Sequence, residues 1–123
     1  MKDNIIKTKS YQLAVDIVNT YKSIKAEHNE TVLSKQLLRS GTSVASNVRE
    51  AIDAQSGKDF INKFSISQKE ANETMFWLDL LYDTKYIDED KFKKLQNDTL
   101  QVYKIITKII ITKKQNINMS NGN

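Results

Sequence analysis

The sequence predicts an all-α protein, an antiparallel up-down-up-down four-helix bundle, and three observations predict it. The 123 residues include no proline and only three glycines, so long helices can run without a break. Apolar residues recur at three- and four-residue steps through four segments, while no segment alternates at period two. The polar turns between those segments are short, which obliges neighbouring helices to lie antiparallel. Helices of roughly 18 to 28 residues make a bundle about 30 to 40 Å long.

The first helix is expected from Ser10, as its N-cap, to about Glu27, with Leu13, Ala14, Ile17, Val18, Tyr21 and Ile24 on the inner stripe. Residues 1–9 then form a short arm. His28, Asn29 and Glu30 make a polar turn, where the lone histidine reads as a solvated helix end with no second histidine to share a metal. Thr31 or Ser34 can cap the second helix, which runs to about Gln55 through Leu33, Leu37, Val44, Val48, Ala51 and Ile52. Gly41 interrupts this helix at a cost of about 1 kcal/mol relative to alanine, which fits the close passage of another helix. Simple tolerance is the other reading.

Ser56-Gly57-Lys58-Asp59 closes one helix and opens the next, with glycine suited to a left-handed residue past a helix end and Ser56 with Asp59 resembling a capping box. The third helix is expected over about 58–85. Phe60, Phe64, Ala71, Met75, Leu78 and Tyr82 stack on its core face, and Ile66, Phe76, Trp77 and Leu80 fall roughly opposite. A helix apolar on both sides needs a second cover, and another copy of the chain is the simplest one. Asp88, Glu89 and Asp90 open the fourth helix, where the macrodipole favours acids. Its inner face carries Phe92, Leu95, Thr99, Val102, Tyr103, Ile106, Ile109 and Ile110. Ile105 and Ile111 fall off that stripe and join the expected oligomer interface. The bundle thus spans 10–114, and the Asn-rich stretch 115–123 reads as a flexible tail.

Composition narrows the function classes. There is no cysteine, which excludes disulfides, thiolate metal sites and cysteine nucleophiles. The N-terminal residues are too polar for a signal peptide and no stretch approaches the roughly 18 apolar residues of a membrane span, so a cytoplasmic protein without membrane contact is expected. The formal net charge of +4 permits a polyanionic partner without demanding one.

Gln36, Arg39, Ser43, Ser46, Asn47 and Glu50 form a polar stripe at four-residue spacing on the second helix. It can be a shared ligand or nucleic-acid site. The favoured reading is a hydrogen-bonded seam, with Arg39 paired to Glu50 of another chain or to Glu70 or Glu73 of the third helix. Those glutamates do not make a di-iron site, which needs Glu-x-x-His on two helices. With no glycine-rich phosphate loop and no oriented nucleophile and base, no cofactor and no enzymatic activity are expected. Lys93, Lys94, Lys104 and Lys108 occupy the outward arc of the fourth helix, with Lys113 and Lys114 near its end. A symmetric oligomer multiplies that stripe into a field able to hold phosphate backbone. Ordinary solubilisation is the alternative.

Two stretches go beyond a generic bundle pattern. Gln36-Leu37-Leu38-Arg39-Ser40-Gly41-Thr42-Ser43-Val44-Ala45-Ser46-Asn47-Val48-Arg49-Glu50-Ala51, followed by Gln68-Lys69-Glu70-Ala71-Asn72-Glu73-Thr74-Met75-Phe76-Trp77-Leu78-Asp79-Leu80-Leu81, resembles the bacterial four helix bundle family first noticed as proteins encoded by intervening sequences in 23S ribosomal RNA genes. The similarity extends over 10–112. Departures are Ala51, where members often carry glycine, and Arg49, where they carry alanine or serine. The resemblance implies a homopentameric barrel of bundles. It also links the chain to accessory proteins of diversity-generating retroelements, which share that architecture and work with a reverse transcriptase and RNA. Function does not transfer on architecture alone. The leading expectation is a non-enzymatic oligomeric scaffold that binds RNA, DNA or a nucleic-acid-processing partner. The rival is a protein–protein adaptor without nucleic-acid affinity.

Overall fold

The computed structural model describes the backbone of residues 2–121 and the side chains of 5–120. Its elements are four α-helices, α1 (Lys2–His28), α2 (Val32–Ile52), α3 (Gly57–Asp83) and α4 (Glu89–Asn121), with no strand among the described residues. Helix packs on helix in the pairs α1 with α2, α2 with α3, α3 with α4 and α1 with α4. Along α2 and α3 the partners run in opposite order: Glu50 meets Lys63, Val44 meets Ser67, and Arg39 meets Glu70. Along α3 and α4 the same holds, from Phe60 with Lys113 through Gln68 with Thr107 to Asp79 with Gln96.

The core is one cluster drawn from all four helices. Leu13, Ile17 and Ile24 of α1, Leu37, Val44 and Val48 of α2, Phe64, Ala71, Leu78 and Leu81 of α3, and Leu95, Val102 and Ile106 of α4 are buried in it. Small hydroxyl residues share this interior. Ser34, Ser40, Ser67, Thr74 and Thr99 are fully buried, and each donates its hydroxyl to a backbone carbonyl, so the polar atom does not go unmet.

Helix ends differ from the sequence expectation in several places. α1 begins at Lys2, well before Ser10, and absorbs the described part of the expected arm 1–9, because Ile6 is 0% exposed and extends the core stripe by two turns. Ser10 is no cap: it is buried and donates to the Lys7 carbonyl at 3.2 Å. Neither Thr31 nor Ser34 caps α2 by its side chain. Glu30 does, its two carboxylate oxygens accepting the Leu33 and Ser34 amides at 2.7 and 3.0 Å. α2 stops at Ile52, short of Gln55. α3 does start as expected with Ser56, whose hydroxyl accepts the Asp59 amide at 3.1 Å. Gly57 is not left-handed, however, and is instead the first residue of α3. Its bare Cα matters because Ile117 of α4 packs there, with Cδ1 only 2.9 Å from where a Cβ would stand. That packing carries α4 on to Asn121 and replaces the expected flexible tail over its described part. Met1, Gly122 and Asn123 lie outside the described residues.

Gly41 is a point of close approach. A Cβ on it would lie 2.8 Å from Cγ2 and 3.2 Å from Cβ of Ile17, itself fully buried and β-branched. The neighbour pressed against it is therefore the base of a stiff side chain on α1.

Two outcomes follow. Gly41→Ala gains about 1 kcal/mol of helix propensity but overpacks a full site at a cost of about 1–3 kcal/mol, so it lowers the thermal midpoint in a calorimetric scan. Burial alone raises the Glu30 pKa, yet the amide hydrogen bonds of Leu33 and Ser34 outweigh it and hold the carboxyl below its ordinary value. A depressed folded pKa stabilises above the unfolded value of about 4.3 and ceases to do so as pH falls through the folded value. Glu30→Gln is accordingly less stable than the parent by about 0.5–1 kcal/mol at neutral pH, and the difference closes in urea titrations run well below about pH 4.

Candidate nucleic-acid and subunit interfaces

Three sets of residues stand out by spacing: a polar stripe on α2, lysines on α4 and apolar residues off the core faces of α3 and α4. The stripe meets α3 within one chain. Arg39 Nη1 donates to Glu70 Oε2 at 2.9 Å, Nη2 donates to Glu73, and Nε donates to Gln36 Oε1 at 3.3 Å. The three acceptors hold the guanidinium fork flat along the α2–α3 groove, and the Glu73 hydrogen bond leads in raising its pKa above the usual value. Within the chain the Glu50 carboxylate lies 3.7 Å from Lys63 Nζ. Ser43 and Asn47 bond to each other within α2, the Asn47 amide donating to the Ser43 carbonyl at 2.9 Å and to its hydroxyl at 3.1 Å. Ser46 likewise donates to the Ser43 carbonyl.

Beneath this surface lies a second tier that the stripe did not reveal. Ser67 Oγ donates to the Val44 carbonyl at 2.7 Å, and the Thr74 and Ser40 hydroxyls are 3.0 Å apart. Ser67, Ala71 and Thr74 are small residues at helical spacing on the inner face of α3, and that spacing is the signal a search for apolar residues passes over.

The lysines divide into two groups. Lys93 pairs with Glu89 at 2.7 Å, and Lys94 pairs with Asp98 at 2.8 Å and with Asp16 of α1 at 3.4 Å. Both ammonium groups titrate above their usual value, each chiefly through the hydrogen bond to its partner on α4. Lys104, Lys108 and Lys114 are exposed and make no ion pair among the described residues. Lys113 stands over the Phe60 ring, its Nζ 5.0 Å from the centroid. Within α4, therefore, the lysines without an ion pair lie mostly in its second half, Lys91 being the exception.

The apolar set divides as well. Ile66, Phe76 and Ile111 are exposed, at 38, 55 and 51%. Trp77 and Ile105 are half-buried against their own core, and Leu80 is half-buried too. The expectation that Trp77 lies opposite the core is thereby corrected, whereas Leu80, outside the core cluster, keeps its place on the far side. At about 100° per residue Trp77 sits at the α2 edge of the arc centred on Leu78 and Leu81, not across from it. Its ring packs edge-on against Phe76 at 4.9 Å, while its Nε1 is sealed from solvent with no acceptor. Leu100, an exposed apolar residue on α4, falls outside the set that spacing suggested.

The family model described as 23S rRNA-intervening sequence protein matches residues 2–108. The chain belongs to that family. A crystal structure of a protein with unknown function from the S23 ribosomal protein family of Bacteroides thetaiotaomicron is similar, with 52% identity and a TM-score of 0.88 over 89% of this chain and 98% of that one. No curated protein matches.

The fold also gathers residues that spacing could not. His28, Tyr82, Lys85, Tyr86 and Lys91 border one cavity of about 560 Å³ at the end of the fold, together with the acids Glu27 and Asp88. The His28 and Tyr86 rings meet edge-on at 5.3 Å. No local pattern joins residue 28 to residues 82–91, so only the turn after α3 reveals the grouping. Among the described residues no group of three His, Asp or Glu is placed to hold a metal ion.

The two tiers of the α2–α3 seam differ in strength. Arg39→Met costs less than about 1 kcal/mol, because its half-exposed pairs are screened by water. Ser67→Val forces two methyls into a site with 0% exposure and costs about 1–3 kcal/mol. Urea denaturation of the two variants separates them.

Proposed function

We propose that this chain is a non-enzymatic scaffold that binds RNA. In this reading the four helices form an up-down-up-down bundle, copies of the chain assemble into a homopentamer, and the assembly works in the cytoplasm. The observation that carries the reading is the unneutralised lysine run of α4, Lys104, Lys108, Lys113 and Lys114, which an oligomer repeats around its surface. The matched family's description, which refers to an intervening sequence of 23S rRNA, supports a nucleic-acid setting. The opposed order of paired residues on sequence neighbours supports the bundle topology. Exposed Phe76 and Ile66 on α3 support a subunit interface, since an apolar surface of this kind gains by being covered. The polar stripe supports a structural role, because Arg39, Glu70 and Glu73 are engaged with one another. The bound partner is RNA, or DNA, directly, or a nucleic-acid-processing protein such as a reverse transcriptase.

A second reading is a protein–protein adaptor without nucleic-acid affinity, and the neutralisation of Lys93 and Lys94 favours it. Light scattering and a salt series on RNA and DNA separate the readings. The parent is expected to have the mass of several copies, and Phe76→Asp to fall towards one copy. RNA affinity should drop steeply with salt, and replacing Lys104, Lys108 and Lys114 by glutamine should lower the log–log slope by roughly 0.7–0.9 for each phosphate no longer neutralised. An oligomer that binds neither nucleic acid at low salt is the adaptor; a monomeric parent overturns the scaffold.

A further inference from the structure

Between the start of α1 and the last turns of α4 lies an apolar cavity of about 440 Å³. That volume lies in the range of small-molecule sites, about 300–1,000 Å³. Ile5, Phe60, Ile105 and Ile109 supply its apolar wall, and Lys108 and Lys113 line it as well. No acid is among the described lining residues, in contrast to the cavity bordered by Glu27 and Asp88.

One of the two cations is held in place. Lys113 Nζ rests over the Phe60 ring, and its Cε runs 3.4 Å from the position a Cβ on Gly57 would take. The lysine stem thus passes in ordinary contact beside the first turn of α3. Lys108 is exposed, makes no ion pair among the described residues, and lies five residues earlier on α4. Thr112 and Asn116 add hydrogen-bonding groups on the same helix.

We propose that this cavity binds a single-chain amphipathic anion, a medium-chain carboxylate, with its tail on Ile5, Phe60, Ile105 and Ile109 and its head between Lys108 and Lys113. The inference rests on charge complementarity: an apolar pocket lined by two cations and no acid favours a ligand with a grease-like tail and one negative end. The site shares Lys108 and Lys113 with the RNA-binding reading but is argued from the cavity and not from that reading.

Calorimetric titration of the full-length protein with sodium decanoate tests it. Decanoate should bind, and decyltrimethylammonium should not. Octanoate, two methylenes shorter, should bind roughly fifteenfold more weakly, since each buried methylene is worth a factor of about four. Lys108→Gln with Lys113→Gln should weaken decanoate about tenfold or more. Thr112→Trp, at an exposed lining residue outside both the lysine run and the expected subunit interface, fills the cavity and should abolish decanoate binding while leaving RNA affinity and its salt slope unchanged, which separates this site from the scaffold reading. If Thr112→Trp does not fold, the lysine pair variant and the ligand series carry the test. Equal binding of the ammonium and carboxylate amphiphiles, or no decanoate binding by the parent, overturns the proposal. So does a drop in oligomer mass in Thr112→Trp combined with silent titrations, which assigns the cavity to a subunit interface.

Discussion

The structure depends on how closely α2 can be approached from both sides. Its inward positions are mostly small, with Ser34, Ser40, Gly41, Val44, Val48 and Ala51 all buried. On one flank Gly41 admits the Ile17 side chain of α1, and on the other Ser67 of α3 reaches the Val44 carbonyl. Larger residues at these places would hold the helices apart, and a wider gap would leave the core unfilled. The buried hydroxyls do not weaken this arrangement, because each returns its hydrogen bond to a carbonyl of the helical backbone. The bulk of the core is then supplied by the longer apolar residues of α1, α3 and α4.

The outer surface follows from that inner spacing. With α2 and α3 packed closely, Arg39 reaches Glu70 and Glu73 and closes the groove above the hydroxyl tier. On α4 the acids cluster early and the unpaired lysines other than Lys91 late, so the helix is electrically uneven along its length. Lys94 is drawn across to Asp16, which ties the first half of α4 to α1. The second half has no such tie to acids, and its charge is left for other partners.

The helical class was legible because proline is absent and the apolar steps are regular. Boundaries were harder to read where chemistry gave a false cue. Ser10 looked like a cap, yet a serine can also bond to the turn behind it, as it does here to Lys7. Gly57 looked like a left-handed stop, yet its role is steric, and only the distant Ile117 shows that. Trp77 shows a limit of face assignment, since a large ring at the edge of an arc can fold back onto its own core. Of the candidate sites, the Arg39 partners were readable from charge and spacing, because Glu70 and Glu73 lie one turn apart. The grouping of Ile5 with Phe60 and Ile109 was not, since nothing local links residues so far apart in the chain.

The seating of Ile117 on Gly57 has a consequence for how the molecule loosens. Past Ile110 α4 has no fully buried side chain, only half-buried Lys113 and Ile117 among exposed neighbours. Those last turns form a segment able to melt by itself, its amides exchanging with solvent and its backbone meeting proteases long before the rest opens. Fraying there would also release the Lys113 stem, which lies beside the same glycine and over the Phe60 ring.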